Sequence, residues 1–178
     1  MRNQSPQEHV IKTFGISSDM PKSIEGMMNY IGLNLCDTAN GDGIRVSLFV
    51  SGCTVHCKDC FNKESWDFNA GKPFDADVKM KILNALNEPY IAGFSLLGGD
   101  PFETEHEKQL KALLRVIKTA YPEKTIWAWT GRRYENVKDS PLMQYIDVLI
   151  DGAYVDKLKV KGQWYGSSNQ RVIEIKHV

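Results

Sequence analysis

The sequence predicts an α/β fold built around a parallel sheet. Short apolar segments typical of strands alternate with segments of helical periodicity between residues 44 and 150. Strands separated by helical connections pair in parallel through right-handed crossovers, and their functional loops gather at the carboxyl ends. Here each predicted strand is followed by a polar or glycine-containing loop. A chain of 178 residues suits one domain with a substantial core.

Composition limits the classes of function. The chain holds 22 Lys and Arg against 22 Asp and Glu, so its formal net charge is zero, and this balance argues against a nucleic-acid partner. No apolar run approaches the roughly 20 residues that cross a bilayer, and residues 1–26 lack a signal-peptide core. We therefore expect no membrane partner and a cytoplasmic location. Cysteines in that reducing compartment are more often ligands or catalysts than disulfides.

The first half of the chain contains one clear strand and one clear helix. Residues 1–27 are polar and show no sustained periodicity, so we expect a loosely ordered extension ahead of a domain at 28–178. Ile44 to Val50 alternate and are rich in β-branched residues, which predicts a strand. A helix is expected from residue 75 to about 87, with its apolar stripe at Val78, Ile82 and Leu86.

The second half repeats the order of strand, loop and helix. Residues 93–97 predict a buried strand that runs into Gly98-Gly-Asp-Pro-Phe102. Thr104 and Glu107 have the spacing of a capping box, so a helix is expected to start there and to stop before Pro122. Further strands are predicted at residues 125–129, 146–150 and 171–175.

Three cysteines follow the first predicted strand in a C-x3-C-x2-C pattern: Cys53, Cys57 and Cys60. Iron–sulfur clusters are held by cysteine thiolates, and three ligands on a four-iron cluster leave one iron open to a small molecule. The alternative is a structural zinc site completed by His56 or Cys36. Unrelated buried thiols are disfavoured, because this loop is polar.

Other segments extend the pattern along the chain. They are Asn40-Gly-Asp-Gly-Ile-Arg45, Leu48-Phe-Val-Ser-Gly-Cys53, Cys60-Phe-Asn-Lys63, Trp66, Gly98-Gly-Asp-Pro101, Trp129-Thr-Gly131 and Gly166-Ser-Ser-Asn-Gln170. The cysteine pattern resembles the signature of radical S-adenosylmethionine (SAM) enzymes. Together, the segments resemble one family within that superfamily, the activating proteins of anaerobic ribonucleoside-triphosphate reductase. The resemblance runs from about Met28 to the carboxyl end.

The resemblance implies a fold and a reaction. The fold is a partial, open (β/α) barrel with parallel strands and outer helices, and its open side admits a glycine loop of the large reductase subunit. The three cysteines would hold one 4Fe-4S cluster, with SAM bound at the open iron. Reductive cleavage of SAM would give a 5′-deoxyadenosyl radical, which removes a hydrogen atom from the reductase glycine. A reduced flavodoxin is the implied electron donor.

The resemblance also implies a set of SAM contacts: Asp59, Cys60, Phe61, Gly98, Gly99, Asp100 and Thr130. The two glycines would let the backbone approach the cofactor, and Asp100 would accept a hydrogen bond from the methionyl ammonium group. Phe61 would stack on the adenine. Thr130 and Asp151 stand at the ends of neighbouring predicted strands and should line the same face, so we expect one of them to contact the ribose or the methionine.

Several alternatives stay open at this point. Gly98 to Pro101 also suit a plain turn between a strand and a helix. Arg45 is expected to bind an anion or the partner chain, unless it is simply solvated. A different glycyl-radical enzyme, of the pyruvate formate-lyase type, is an alternative partner. A non-enzymatic iron–sulfur or zinc module is a further alternative function.

Overall fold

The computed structural model describes residues 27–177. The expected extension, residues 1–27, lies outside this range except for Met27. Within it, seven strands form one sheet with the order β3-β1-β2-β4-β5-β6-β7. The strands are β1 (Asn29–Asp37), β2 (Ile44–Val50), β3 (Lys72–Pro73), β4 (Ile91–Gly98), β5 (Thr125–Thr130), β6 (Val148–Asp151) and β7 (Arg171–Glu174). The helices are α1 (Ala76–Leu86), α2 (Thr104–Ala120) and α3 (Tyr134–Val137).

The sheet is parallel only in its centre. The four strands β2, β4, β5 and β6 pair in parallel, whereas β1, β3 and β7 pair antiparallel. The expectation of parallel strands throughout is therefore wrong at both edges. The cause at β1 is its short connection to β2, since a short turn joins only antiparallel neighbours. Asp37 stabilises that turn by accepting hydrogen bonds from the Ala39 amide and the Asn40 side chain.

Most predicted elements are confirmed. The first predicted strand coincides with β2, and the first predicted helix is α1, in which the Asp75 side chain accepts a hydrogen bond from the Val78 amide. Helix α2 begins at Thr104 as expected, but the capping box is wrong. Glu103 occupies the N-cap position and makes no side-chain capping bond, because its carboxylate is used elsewhere. Strand β1 was not predicted, and its side chains are mostly half-buried or exposed.

Apolar side chains of the central strands and of α1 and α2 form the core. Fully buried members include Leu48, Phe94, Leu96, Ile82, Leu86, Leu110, Leu114 and Ile117. This packing fixes the positions of the strand ends, and therefore of the loops that follow them. No helix between residues 27 and 177 has both the length and the apolar character of a membrane span.

Arg45 is part of the core, which contradicts its expected role in binding an anion or a partner. Only 1% of the residue is exposed. Its guanidinium donates to the Ser95 hydroxyl at 2.7 Å and to both the carbonyl and the hydroxyl of Thr125. Two further bonds reach the carbonyls of Asp42 and Phe94. Burial lowers the pKa of Arg45 to about 10, although nearby carboxylates oppose that shift.

Candidate functional site

The carboxyl ends of the central parallel strands surround one cavity of about 410 Å³. The loops after β2, β4 and β5 contribute most of the predicted site residues. Those that line it are Cys53, Cys57, Cys60, Phe61, Gly98, Gly99 and Thr130. Asp59 is exposed and Asp100 is buried, and neither is among the lining residues.

The loop that carries the cysteines is attached to the fold at both ends. The Gly52 amide donates to the Ser65 carbonyl at 2.7 Å, and the Cys53 amide donates to the Trp66 carbonyl at 3.2 Å. Gly52 has φ = +100°, and a Cβ there would lie 2.3 Å from the Phe68 ring. The loop therefore requires glycine at this position.

The three cysteines are free thiols on the cavity side of this loop, Cys53 buried and the other two half-buried. Burial raises the pKa of Cys53 and of Cys57. Backbone amides that donate to the sulfurs oppose this rise: those of His56 and Val55 at Cys53, and that of Tyr154 at Cys57. Metal ligation requires the thiolate, so amides directed at sulfur suit a site for an iron–sulfur cluster.

The two residues of the zinc alternative have other surroundings. The His56 ring stacks on the Trp66 ring, with centroids 4.3 Å apart. Cys36 is exposed on β1 and is not a lining residue of the cavity. Among residues 27–177, no three His, Cys, Asp or Glu side chains form a group suited to a metal ion, and this holds for the three cysteines as well as for His56 and Cys36.

Gly98 and Gly99 bring the end of β4 against the cysteine loop. The Gly99 amide donates to the Val50 carbonyl at 2.7 Å, and the Asp100 amide donates to the Gly52 carbonyl at 2.8 Å. A Cβ on Gly99 would lie 2.2 Å from that Gly52 oxygen, and one on Gly98 would lie 2.4 Å from the Val50 nitrogen. Backbone packing thus demands both glycines, a reason that the sequence analysis did not identify.

Asp100 has a different position from the one expected. Its side chain is fully buried and accepts hydrogen bonds from the Thr130 hydroxyl at 2.8 Å and from the amides of Phe102 and Gly131. Burial raises the pKa of Asp100, while these bonds and the charge of Arg132 act in the opposite direction. The geometry does not support direct contact with a cofactor's ammonium group. Asp100 instead joins the loop after β4 to Thr130 at the end of β5.

Asp151 also has a structural role. Its buried carboxylate accepts the Tyr134 amide at 2.7 Å and the Arg171 side chain. These contacts connect β6, α3 and β7. Asp151 is absent from the cavity lining, so it is not the alternative to Thr130 that its strand-end position predicted.

Residues near the carboxyl end complete the wall of the cavity. The Trp129 indole donates to the Trp164 carbonyl at 2.8 Å. The Gln170 side chain accepts the amides of Gly166 and Ser167 and donates to the Gly152 carbonyl. At the cavity, the Phe61 ring is 86% exposed and contacts Tyr154 edge-on, with centroids 5.7 Å apart.

Three buried or half-buried residues that hold the loops together were missed by the sequence analysis. His106 places its Nδ1 2.9 Å from the Asp100 carbonyl and its Nε2 2.7 Å from the Ser51 carbonyl. Glu103 and Arg132 form an ion pair at 2.7 Å. The only signal in the sequence is that charged residues directly follow the glycine-containing loops, and this signal does not identify their partners.

Comparison with known proteins identifies the class of domain that this chain contains and the protein family to which the chain belongs. A family model described as a 4Fe-4S single cluster domain matches residues 39–173. The chain is 39% identical over 145 residues to the anaerobic ribonucleoside-triphosphate reductase-activating protein of Enterobacteria phage T4, covering 82% of this chain and 93% of that protein. It is 40% identical over 150 residues to the protein of that name from Escherichia coli K12, covering 82% and 97%.

The protein of the same name from Pasteurella multocida is 41% identical over 150 residues, covering 80% of this chain and 95% of the relative. The three alignments cover nearly the whole length of the relatives. The chain therefore belongs to the family of anaerobic ribonucleoside-triphosphate reductase-activating proteins, and it contains a 4Fe-4S cluster domain.

Proposed function

We propose that this chain activates an anaerobic ribonucleoside-triphosphate reductase by cleaving SAM reductively and thereby generating a glycyl radical on the large reductase subunit. The observation that carries the proposal is the convergence of Cys53, Cys57 and Cys60 on one cavity with the glycine-containing loop after β4. The family membership of the chain supports the choice of reductase as the partner.

Cys53, Cys57 and Cys60 would hold the 4Fe-4S cluster. When bound, the cluster supplies one electron to SAM, so that methionine leaves and the deoxyadenosyl group takes a hydrogen atom from the partner's glycine. The amides of Val55, His56 and Tyr154 favour the thiolate form of Cys53 and Cys57, although burial outweighs them and raises the pKa of both thiols. This is the form in which cysteine binds metal.

Other lining residues have roles in placement. Gly98, Gly99 and Thr130 line the cavity together with the cysteine loop, and a bound SAM would lie against them. Asp100 holds Thr130 in place through the 2.8 Å hydrogen bond and does not itself touch SAM. The exposed Phe61 ring and the half-buried Tyr154 ring form an aromatic pair at the cavity, suited to adenine or to the incoming glycine loop.

The proposal extends to the shape of the fold and to the other partners. We expect the four parallel strands, with α1 and α2, to form the central part of a partial, open barrel, as the resemblance implies, and its open side would admit the reductase loop. A reduced flavodoxin in the cytoplasm would supply the electron. Thiols remain reduced in that compartment, as cluster ligation requires.

The test is anaerobic reconstitution of the full chain with iron and sulfide, followed by chemical reduction and addition of SAM. Formation of 5′-deoxyadenosine and methionine in equal amounts is the expected result. Adding the reductase large subunit should then produce a glycyl-radical signal in electron paramagnetic resonance (EPR), whereas adding pyruvate formate-lyase should not. A reconstituted chain that binds iron but never cleaves SAM would overturn the proposal.

A further inference from the structure

Glu103 is a buried carboxylate with an unusual set of donors. Its side chain is only 6% exposed. Oε1 accepts the Thr54 amide at 2.7 Å and the Arg132 guanidinium at 2.7 Å. The Thr54 hydroxyl donates to the same carboxylate at 2.9 Å, and it also accepts from Arg132 at 3.0 Å. The three side chains therefore form one closed set of hydrogen bonds.

The three residues come from three different loops at the cavity. Thr54 directly follows Cys53 in the cysteine loop, Glu103 lies immediately before α2, and Arg132 follows the end of β5. The Thr54 amide belongs to the segment between the first two cysteines. Its position therefore contributes to the spacing of their thiols, and the bond to Glu103 fixes that position relative to the loops after β4 and β5.

Arg132 supplies the charge that this arrangement needs. A carboxylate removed from water is costly unless it is paired and hydrogen-bonded. Besides the bond to Glu103, Arg132 directs its Nε toward Asp100 at 3.6 Å. That Nε is buried and has no hydrogen-bond partner, so Arg132 lies between two buried carboxylates and balances both. The guanidinium suits this place because its donors point in fixed directions.

We propose that Glu103 is a positioning residue that fixes the cysteine loop for cluster binding, with Arg132 as its counter-charge. The effect on cluster binding rests on the proposed function, whereas the effect of Glu103 on the cysteine loop does not. Glu103 does not line the cavity, so it acts through Thr54 and not by touching cluster or cofactor.

The first readout is amide hydrogen exchange of Thr54 in the full chain before iron is added, measured by NMR. In Glu103→Ala the Thr54 amide should exchange roughly tenfold faster or more, since a hydrogen bond to a charged group is lost. Glu103→Gln keeps the shape but not the charge, and it should give a smaller increase. Glu105→Ala is the matched control, because Glu105 is exposed in the first turn of α2.

The second readout is the iron content and the EPR spectrum of the reduced cluster after reconstitution. Glu103→Ala should bind less iron than wild type and show a broadened spectrum, with Glu105→Ala unchanged. Thr54 exchange that is equal in wild type, Glu103→Gln and Glu103→Ala would overturn the inference. If amide exchange in α2 shows that Glu103→Ala fails to fold, Thr54 exchange is measured in Glu103→Gln and Arg132→Met instead. Thr54 exchange equal to that of wild type in both variants would then overturn the inference.

Failure of this inference is distinguishable from failure of the proposed function. Wild-type protein that binds a cluster but never cleaves SAM would overturn the function, whereas the exchange of Thr54 would still test the role of Glu103. Conversely, normal SAM cleavage together with unaltered Thr54 exchange in the variants would overturn only the role of Glu103.

Discussion

The guanidinium carbon of Arg45 lies 5.2 Å from the centre of the Trp127 ring. Trp127 in turn contacts Trp129 and Trp164, with ring centroids 6.0 Å and 5.8 Å away. Trp129 and Trp164 line the cavity. The buried Arg45 thus packs on Trp127, and Trp127 in turn supports the two tryptophans of the cavity wall.

Replacing Arg45 is expected to destabilise the whole domain. Arg45→Met leaves the carbonyls of Phe94 and Thr125 without the donors they have now, and each buried unsatisfied group is costly. We expect the free energy of unfolding to fall by about 3 kcal/mol, measured by urea denaturation monitored by tryptophan fluorescence. Arg115→Ala is the control, because Arg115 is exposed on α2. A loss below about 1 kcal/mol in Arg45→Met would contradict this account.

The cysteines should divide into two groups. Cys53→Ala, Cys57→Ala and Cys60→Ala each remove a proposed ligand, so each should abolish the visible absorbance of the reconstituted cluster and the formation of 5′-deoxyadenosine. Cys36→Ala should keep both, since Cys36 lies on β1 and is absent from the cavity lining. Equal damage from the Cys36 change would indicate four thiolate ligands and would exclude an open iron.

Gly99→Ala should displace the cysteine loop. The new Cβ would lie 2.2 Å from the Gly52 carbonyl oxygen, and over-packing of this kind costs about 1 to 3 kcal/mol. We expect lower stability in urea denaturation and less iron bound per chain. Gly162→Ala provides a control, because no atom lies within 4 Å of a Cβ there, although φ is +71°. An equal loss of stability and of bound iron in Gly162→Ala would contradict the close approach as the reason for glycine at position 99.

The Asp151 pair should make stability depend on pH. Burial by itself would raise the pKa of Asp151, but hydrogen bonds and charge from Arg171, with the Tyr134 amide, lower it below its ordinary value. The pair's contribution is therefore fully present above the unfolded pKa of about 4 and is lost as pH falls through the lower folded pKa.

Asp151→Asn tests this sign directly. The difference in unfolding free energy between wild type and variant should be largest at neutral pH and should shrink below about pH 4, as measured by urea denaturation at several pH values. Exposed Asp139→Asn should show little difference at any pH. A wild-type advantage that stays constant down to pH 2 would contradict the assignment.

The sequence predicts the local features of this protein well. Ile44–Val50 matches strand β2, because an alternating, β-branched run followed by Ser51-Gly52 leaves few alternatives. The three cysteines are close in sequence, so their meeting at one cavity needs only one loop. Likewise, the apolar stripe of α2 follows directly from helical spacing.

Features that depend on distant partners could not be predicted. Asp100 follows a glycine pair in a manner typical of a ligand contact, yet its carboxylate is used by Thr130, 30 residues further along the chain. Arg45 reaches Thr125, 80 residues away. Strand β1 was missed although Ile31, Leu33 and Leu35 alternate with Gly32 and Asn34. Gly and Asn are disfavoured in strands, and the side chains of β1 stay mostly half-buried or exposed.

Residues 163–170 contribute to the cavity wall, so the cavity is completed late during protein synthesis. The ribosome makes the chain from its amino end, so all three cysteines emerge well before Trp164 and Gln170, which complete that wall. Strand β7, which closes one edge of the sheet, is made later still. The thiols are consequently present in the nascent chain before the cavity is complete.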